Sequence, residues 1–125
     1  MKAQIILAGV LLASVSLTAM GEPRVISYKA DILPISKDYC LGCHVPGGKG
    51  YEKSGPDLRS YDSLMKGTKF GTVIKPGSHL ASTLNFLVSG HANPSITMPF
   101  GMKGGLPKDK VDLLNLWVEQ GAKNN

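Results

Sequence analysis

Apolar side chains recur at helical spacing in three segments of the chain, and glycine and proline interrupt the sequence between them. The first segment predicts a helix from about residue 31 to residue 43, with Asp31 as its N-cap. Its apolar stripe, at i, i+4, i+7 and i+11, consists of Tyr28, Ile32, Ile35 and Tyr39. Pro34 is compatible with this helix because its missing N–H, at the third helical position, has no intrahelical partner to lose. The helix therefore ends on the stretch CLGCH, residues 40–44.

Further helices are predicted in the second half of the chain. One covers SHLASTLNFLV with Ser78 as N-cap, and its inward positions are Leu80, Leu84 and Leu87 or Val88. The last helix starts near Pro107 and ends before Gly121, a residue type suited to the position just past a helix. Its stripe consists of Val111, Leu114 and Val118, widened by Leu113 and Trp117. A shorter helical stretch, SYDSLMK, begins at Ser60, and no long segment alternates apolar and polar residues. The predicted fold is all-α, with three to four helices joined by long loops.

Residues 1–21 have the layout of a secretory signal peptide. Lys2 precedes an uncharged apolar stretch that ends in small residues. Ala19 and Gly21 have the spacing of a cleavage site, so cleavage is expected after Gly21, or after Ala19, leaving one domain of residues 22–125. The alternative is an uncleaved segment that anchors the protein with its domain in the periplasm, because the stretch approaches the ~20 apolar residues that span a bilayer. We therefore expect a periplasmic protein without a membrane span in its mature form.

The composition fits a small domain that is rich in loops. The 125 residues include 15 glycines and 8 prolines, and so short and irregular a chain buries little apolar surface by itself. The net charge of +5 comes without an arginine cluster or a basic run, so nucleic acid is not an expected partner. We expect a bound group to complete the interior.

The stretch CLGCH contains both cysteines of the chain, followed by His44. Three chemistries use such a pair: a redox disulfide, part of a zinc site, or the covalent attachment of haem. A redox pair usually lies at a helix N-terminus after a strand, whereas Cys40 and Cys43 follow a predicted helix. A zinc site would need His79 and His91, which do not have the spacing of a ligand pair. The haem motif C-x-x-C-H accounts for both thiols, as thioethers, and for the histidine, as the proximal iron ligand.

The remaining contacts of a haem iron have candidates in the loops. A ligating histidine needs its second ring nitrogen held, and the Pro56 carbonyl in SGPDL is a candidate acceptor. The candidates for the sixth ligand are Met98, Met102, His79 and His91. Met98 is favoured because it precedes Pro99 in a polar loop where no helical stripe explains a methionine as core filler. Methionine ligation favours reduced iron and raises the reduction potential.

The order of these motifs resembles that of single-haem class I cytochromes c, over nearly all of residues 22–125. The family has a helix ending in C-x-x-C-H, a glycine-rich loop reaching G-P-x-L, a methionine often followed by proline, and a C-terminal helix that crosses the first. This chain has CLGCH, then GPDL, then MPFG, then LLNLWVEQGA. The stretches YKADILPI, VIKPGSHLAS and LWVEQGA are similar to planctomycete-type cytochrome c modules.

The resemblance implies a small class I cytochrome c fold whose helices and long loops surround one covalent haem c and its iron. The implied site consists of thioethers at Cys40 and Cys43, iron ligands at His44 and Met98, and the Pro56 carbonyl on the His44 ring. Trp117 is implied to pack near the helix crossing. Two departures are a long, charged loop VPGGKGYEKSG and Leu106 in place of a polar helix cap. Met102 stays the alternative to Met98.

The function implied is electron transfer by an exported carrier that is not an enzyme and has no catalytic residue. Its iron would cycle between Fe(II) and Fe(III), and redox protein partners would dock transiently near the haem edge. Two alternatives remain open: a haem subunit of a larger dehydrogenase or oxidase complex, and a haem enzyme or gas sensor with a displaceable sixth ligand.

Overall fold

The structure, a computed structural model, describes residues 21–125, and in this range the chain is helical without a named strand. A π-helical turn, Tyr28–Ile32, leads into α1 (Leu33–Tyr39), followed by α2 (Lys49–Ser54), α3 (Tyr61–Lys66), α4 (Thr83–Val88) and α5 (Lys108–Glu119). An isolated bridge joins Thr68 and Gly71. The predicted all-α class is confirmed. The predicted signal peptide, apart from Gly21, lies outside the described residues.

The first helical segment starts earlier than the apolar pattern indicates. Its N-cap is Ser27 and not Asp31, because the Ser27 hydroxyl accepts a hydrogen bond from the Ala30 N–H at 3.1 Å. Asp31 completes the cap from within the first turn, where its carboxylate accepts from the Ser27 N–H at 2.8 Å. The wider π-helical turn ends two residues before Pro34, whose ring would clash with the carbonyl four residues back in a regular α-helix. The helix ends at Tyr39, so the predicted end at Cys43 is wrong.

α5 packs across the first helical segment, and aromatic side chains fill this crossing. Trp117 is fully buried, with its ring centroid 5.8 Å from that of Tyr28. Tyr28 also packs edge-on against Tyr61, at 5.3 Å between centroids. The larger aliphatic members of the core are Ile26, Ile32, Ile35, Leu58, Leu64, Ile74, Val88, Leu106, Leu114 and Val118. The predicted position of Trp117 at a crossing of the first and last helices agrees with this packing.

The bounds and stripe of α5 agree with the sequence pattern. The helix has Pro107 at its N-cap and is followed by Gly121, whose φ of +100° favours glycine. Leu114, Trp117 and Val118 are buried, and Val111 and Leu113 lie half-buried beside them. α5 has 12 residues, and within residues 21–125 none of the helices has the length and apolarity to cross a membrane.

Asn125 joins the end of the chain to the start of the first helical segment. Its backbone oxygen accepts hydrogen bonds from the Lys29 N–H at 3.0 Å and the Ser27 hydroxyl at 2.8 Å. Its side-chain oxygen accepts from the Tyr28 N–H at 2.8 Å. These bonds hold the two ends of the described chain side by side and support the helix crossing.

α3 confirms the prediction of a short helix after Ser60. The Ser60 hydroxyl accepts from the Ser63 N–H, and the Ser63 hydroxyl accepts from the Ser60 N–H, both at 3.2 Å. This reciprocal capping box satisfies backbone donors that the helix itself leaves free. The buried side chain of Leu64 packs this helix against the core.

α2 is a helix that the sequence pattern does not predict. Lys49–Ser54 falls in a stretch whose glycines and polar residues indicate a loop. The helix buries none of its residues, so it has no apolar stripe to reveal it. Gly55, with a φ of +90°, ends it.

α4 begins later than predicted. Its N-cap is Ser82, whereas Ser78, the predicted N-cap, closes the turn before the helix. Leu80 lies in this turn and is 86% exposed, so its predicted inward position is wrong. The other inward positions are confirmed, with Leu84 and Leu87 half-buried and Val88 buried.

Candidate functional site

The stretch CLGCH follows α1 as tight turns. The Cys40 N–H donates to the Ser36 carbonyl at 2.9 Å, and the N–H groups of Cys43 and His44 donate to the Cys40 carbonyl at 3.1 and 3.0 Å. Cys43 is exposed and Cys40 half-buried, and both are free thiols. Backbone hydrogen bonds therefore fix both cysteines and the histidine at the end of α1.

The environment of Cys40 does not favour thiol redox chemistry. Burial raises the pKa of the Cys40 thiol to about 11, so the thiol is protonated at neutral pH. Redox-active cysteine pairs instead depend on a lowered pKa, because the thiolate is the nucleophile. The cysteines also follow the C-terminal end of α1, where the helix dipole disfavours a negative charge.

The start of α2 holds the carbonyl of the second cysteine. The N–H groups of Gly50 and Tyr51 donate to the Cys43 carbonyl at 3.0 and 3.1 Å. Gly48 lies so close to this carbonyl that a Cβ there would overlap it. These glycines are not among the predicted site residues, although the run GGKG just after the motif could have indicated them.

The imidazole of His44 lies against the backbone of Gly50. A Cβ at position 50 would lie 2.6 Å from Cε1, 2.8 Å from Nδ1 and 3.0 Å from Nε2 of the ring. A real Cβ does not approach so closely, and therefore a larger residue at position 50 would displace the His44 ring. At Gly42, between the two cysteines, the Cβ position is more than 4 Å from the described atoms that could obstruct it.

The surroundings of His44 favour the neutral form of its imidazole. Burial lowers the pKa of His44, and an interaction with the Pro56 carbonyl raises it by less. Nδ1 is buried and forms no full hydrogen bond with any described residue, so the Pro56 carbonyl faces the ring without completing the predicted bond. The His44 carbonyl accepts from the Leu58 N–H at 3.0 Å, which holds GPDL against the histidine. The neutral imidazole is the form that binds metals.

The two candidate sulfur ligands differ in their surroundings. Met98 is half-buried and packs against the hydrophobic core. Its N–H donates to the Leu87 carbonyl of α4 at 2.8 Å. Met102 is 38% exposed, so Met98 is the better-held candidate.

The histidines of the zinc alternative make contacts of their own. The Nδ1 of His79 lies 2.5 Å from Oε1 of Glu119, which also accepts from the His79 N–H at 2.9 Å. These hydrogen bonds, first from the backbone and then from the ring, lower the pKa of Glu119. His91 is exposed beside Ser89. In the described part of the chain no three His, Cys, Asp or Glu side chains are grouped to hold a metal ion, so Cys40, Cys43, His79 and His91 are not brought together.

Two cavities of the molecule lie away from CLGCH. One of about 820 Å³ lies between α4 and α5, beside His79 and His91. The other, of about 280 Å³, lies beside Trp117 and Asn125. Neither is lined by a cysteine, His44 or Met98, so neither belongs to the candidate site.

Comparison with protein-family models, curated proteins and solved structures finds no match to this chain.

Proposed function

We propose that this chain is an exported single-haem electron carrier with the fold of a class I cytochrome c. The observation that carries the proposal is C-x-x-C-H at the end of the first helix, with the His44 ring seated against Gly50. Cys40 and Cys43 would hold one haem c through thioethers, His44 would bind its iron, and Met98 would supply the sulfur ligand, with Met102 as the alternative. When bound, the haem supplies an iron that accepts and releases one electron.

The orphaned nitrogen of His44 supports a fit to this group. A buried polar atom without a hydrogen bond costs about 1–3 kcal/mol, and the Pro56 carbonyl faces the ring that carries this atom. A full bond from Nδ1 to Pro56 would fix the ring and leave Nε2 free to bind iron. The neutral state that burial favours is the state required of the ligand.

The protonated Cys40 and the exposed Cys43 also fit the covalent attachment of haem. Thioether attachment consumes both thiols, so it requires no lowered pKa in the mature protein, unlike a redox pair. The two side chains emerge from one tight turn whose backbone is held by α1 and α2. This rigidity suits a group bound at two points.

Ligands from His44 and Met98 would leave no open position for a substrate, which supports a carrier and not an enzyme. The reduction potential of the iron would then depend on the sulfur ligand, on burial of the haem and on the hydrogen bond to the His44 ring. Redox protein partners would dock weakly near the haem edge, in contacts that bury less than ~1,200 Å². The apolar stretch at the N-terminus supports export to the periplasm.

The test is production of the full chain in a host with periplasmic haem-attachment machinery. We expect a mature product that begins after Gly21 or Ala19 and exceeds its polypeptide mass by one haem. The reduced protein should show the sharp α-band of low-spin haem, and a variant with both cysteines replaced by alanine should carry no covalent haem. A product with the mass of the bare polypeptide would overturn the proposal.

Two further measurements separate the carrier from its alternatives. Rapid binding of carbon monoxide to the reduced protein would favour a gas sensor or haem enzyme, whereas a carrier should bind it slowly. Sedimentation as a monomer would count against a permanent subunit of a larger complex.

A further inference from the structure

The loop that carries Met98 is closed by a pair of glycines, Gly90 after α4 and Gly105 before α5, which we call the loop neck. A Cβ on Gly105 would lie 2.7 Å from the backbone nitrogen of Gly90 and closer still to the Val88 oxygen. A Cβ on Gly90 would lie 2.8 Å from the carbonyl carbon of Gly104. Their φ angles are +81° and +79°, in the region that favours glycine. The two sides of the loop neck therefore touch backbone to backbone.

The loop neck is fastened to the hydrophobic core. The Leu106 N–H donates to the Val88 carbonyl at 2.9 Å, and both side chains are buried. A side chain at position 105 would enter the space beside this hydrogen bond, because Val88 is its nearest neighbour. Opening the loop neck would thus separate the two ends of the loop.

Inside the loop, Met98 follows a segment that is held by its own hydrogen bonds. The Thr97 hydroxyl contacts the carbonyls of Ala92 and Asn93 at 3.1 and 3.0 Å, and Thr97 is buried. The Met98 N–H then donates to the Leu87 carbonyl. The loop thus turns toward the core at Met98. The loop neck determines the position of the segment that ends in Met98 relative to α4.

We infer that Gly90 and Gly105 are positioning residues that fix Met98 as the sixth ligand of the iron, an inference that rests on the proposed function. A loop neck forced open by a methyl group would leave the chain connected to α4 and α5 but would displace Met98. A ligand added to the solution would then displace the Met98 sulfur from the iron more easily. Neither glycine needs to touch the iron for this effect.

The test compares Gly105→Ala with Gly104→Ala in the haem-loaded full chain. Gly104 has a φ of +81°, so alanine strains the backbone equally there, but its Cβ position has open space among the described residues. Both variants should keep their covalent haem by mass. The Gly105→Ala protein should bind added imidazole about tenfold more tightly than wild type. Imidazole competes with the Met98 sulfur for the iron, and weakening the sulfur's binding by ~1.4 kcal/mol raises the apparent imidazole affinity tenfold. Gly104→Ala should change it by less than about threefold.

A second background distinguishes positioning of Met98 from general destabilisation. In Met98→Ala protein, Gly105→Ala should leave the imidazole affinity unchanged, because no sulfur remains to be displaced. Equal shifts in both backgrounds, or equal shifts for Gly104→Ala and Gly105→Ala, would overturn the inference. Gly90→Ala should raise the imidazole affinity as Gly105→Ala does. Loss of folded protein in both variants would show that the two glycines are needed for the whole fold, and would overturn their specific role in positioning Met98.

The wild-type measurements separate this inference from the proposed function. A wild-type product without haem would overturn both. If the wild-type product carries haem with methionine ligation but Gly105→Ala leaves the imidazole affinity unchanged, only the positioning role is overturned.

Discussion

The segments that carry the two proposed iron ligands are held by different means. His44 lies in the tight turns that follow α1, and its backbone is fixed by hydrogen bonds to Cys40 and Leu58. Met98 lies in a long loop, tied to α4 by one backbone hydrogen bond and closed by Gly90 and Gly105. The first segment is therefore held at the histidine itself, whereas the loop is held at Met98 and at its two ends. We therefore expect substitutions near His44 to act on local stability, and substitutions in the loop to act on ligation with the haem still attached.

The largest effect is expected from Met98→Ala. Loss of the sulfur should abolish the weak long-wavelength band of methionine-ligated ferric haem and lower the reduction potential, because the thioether favours Fe(II). Met102→Ala is the matched control in the same loop and should change neither, since Met102 is 38% exposed. Visible spectra and redox titration measure both quantities. If the band survives in Met98→Ala and disappears in Met102→Ala, the ligand is Met102.

An intermediate effect is expected from Gly50→Ala. The added methyl group would lie 2.6 Å from Cε1 of His44, and such overpacking should lower the free energy of unfolding by about 1–3 kcal/mol. Gly42→Ala adds the same methyl group within CLGCH, where open space surrounds it among the described atoms, and should cost less than ~1 kcal/mol. Denaturant unfolding of the haem-loaded proteins compares the two, and equal losses would contradict the proposed seat of the imidazole.

The smallest effect is expected from Glu119→Gln, which weakens the tie between α5 and the turn before α4. Hydrogen bonds from His79 hold the pKa of Glu119 below its usual value of 4.5. A lowered carboxyl pKa contributes stability above pH 4.5, and this contribution is lost as the pH falls through the folded-state pKa. The variant should melt slightly below wild type at pH 7, and the difference should vanish in acid. A difference that grows in acid would contradict this assignment.

The sequence predicts those parts of the molecule that are encoded locally. The stripe of Leu114, Trp117 and Val118 indicates α5, and Ser60 with Ser63 marks α3 through a capping box. The position of CLGCH after the first helix also follows from the apolar pattern, although that helix ends at Tyr39. These features need only neighbours within a turn or two of the chain.

The parts that could not be predicted depend on contacts that leave no periodic pattern in the sequence. α2 has no buried residue, so no apolar period reveals it, and its position depends on the Cys43 carbonyl. Ser78 and Ser82 are equally good caps by residue type, and burial of Ser82 at 1% exposure selects between them. The contact between Gly90 and Gly105 leaves no periodic signal at all. For the candidate site, the proposed ligands follow from residue type and motif, whereas of the glycines that seat them only Gly48 and Gly50 have a signal in the sequence, the run GGKG after CLGCH.

Trp117 is the only tryptophan of the chain, and it lies fully buried where α5 crosses the first helical segment. Emission excited selectively in tryptophan therefore has a single source at this crossing, outside both CLGCH and the loop that carries Met98. Emission that stays constant while a ligand is exchanged would report an event confined to the loops. Emission that changes in step with the exchange would report that the two ends of the chain come apart as well.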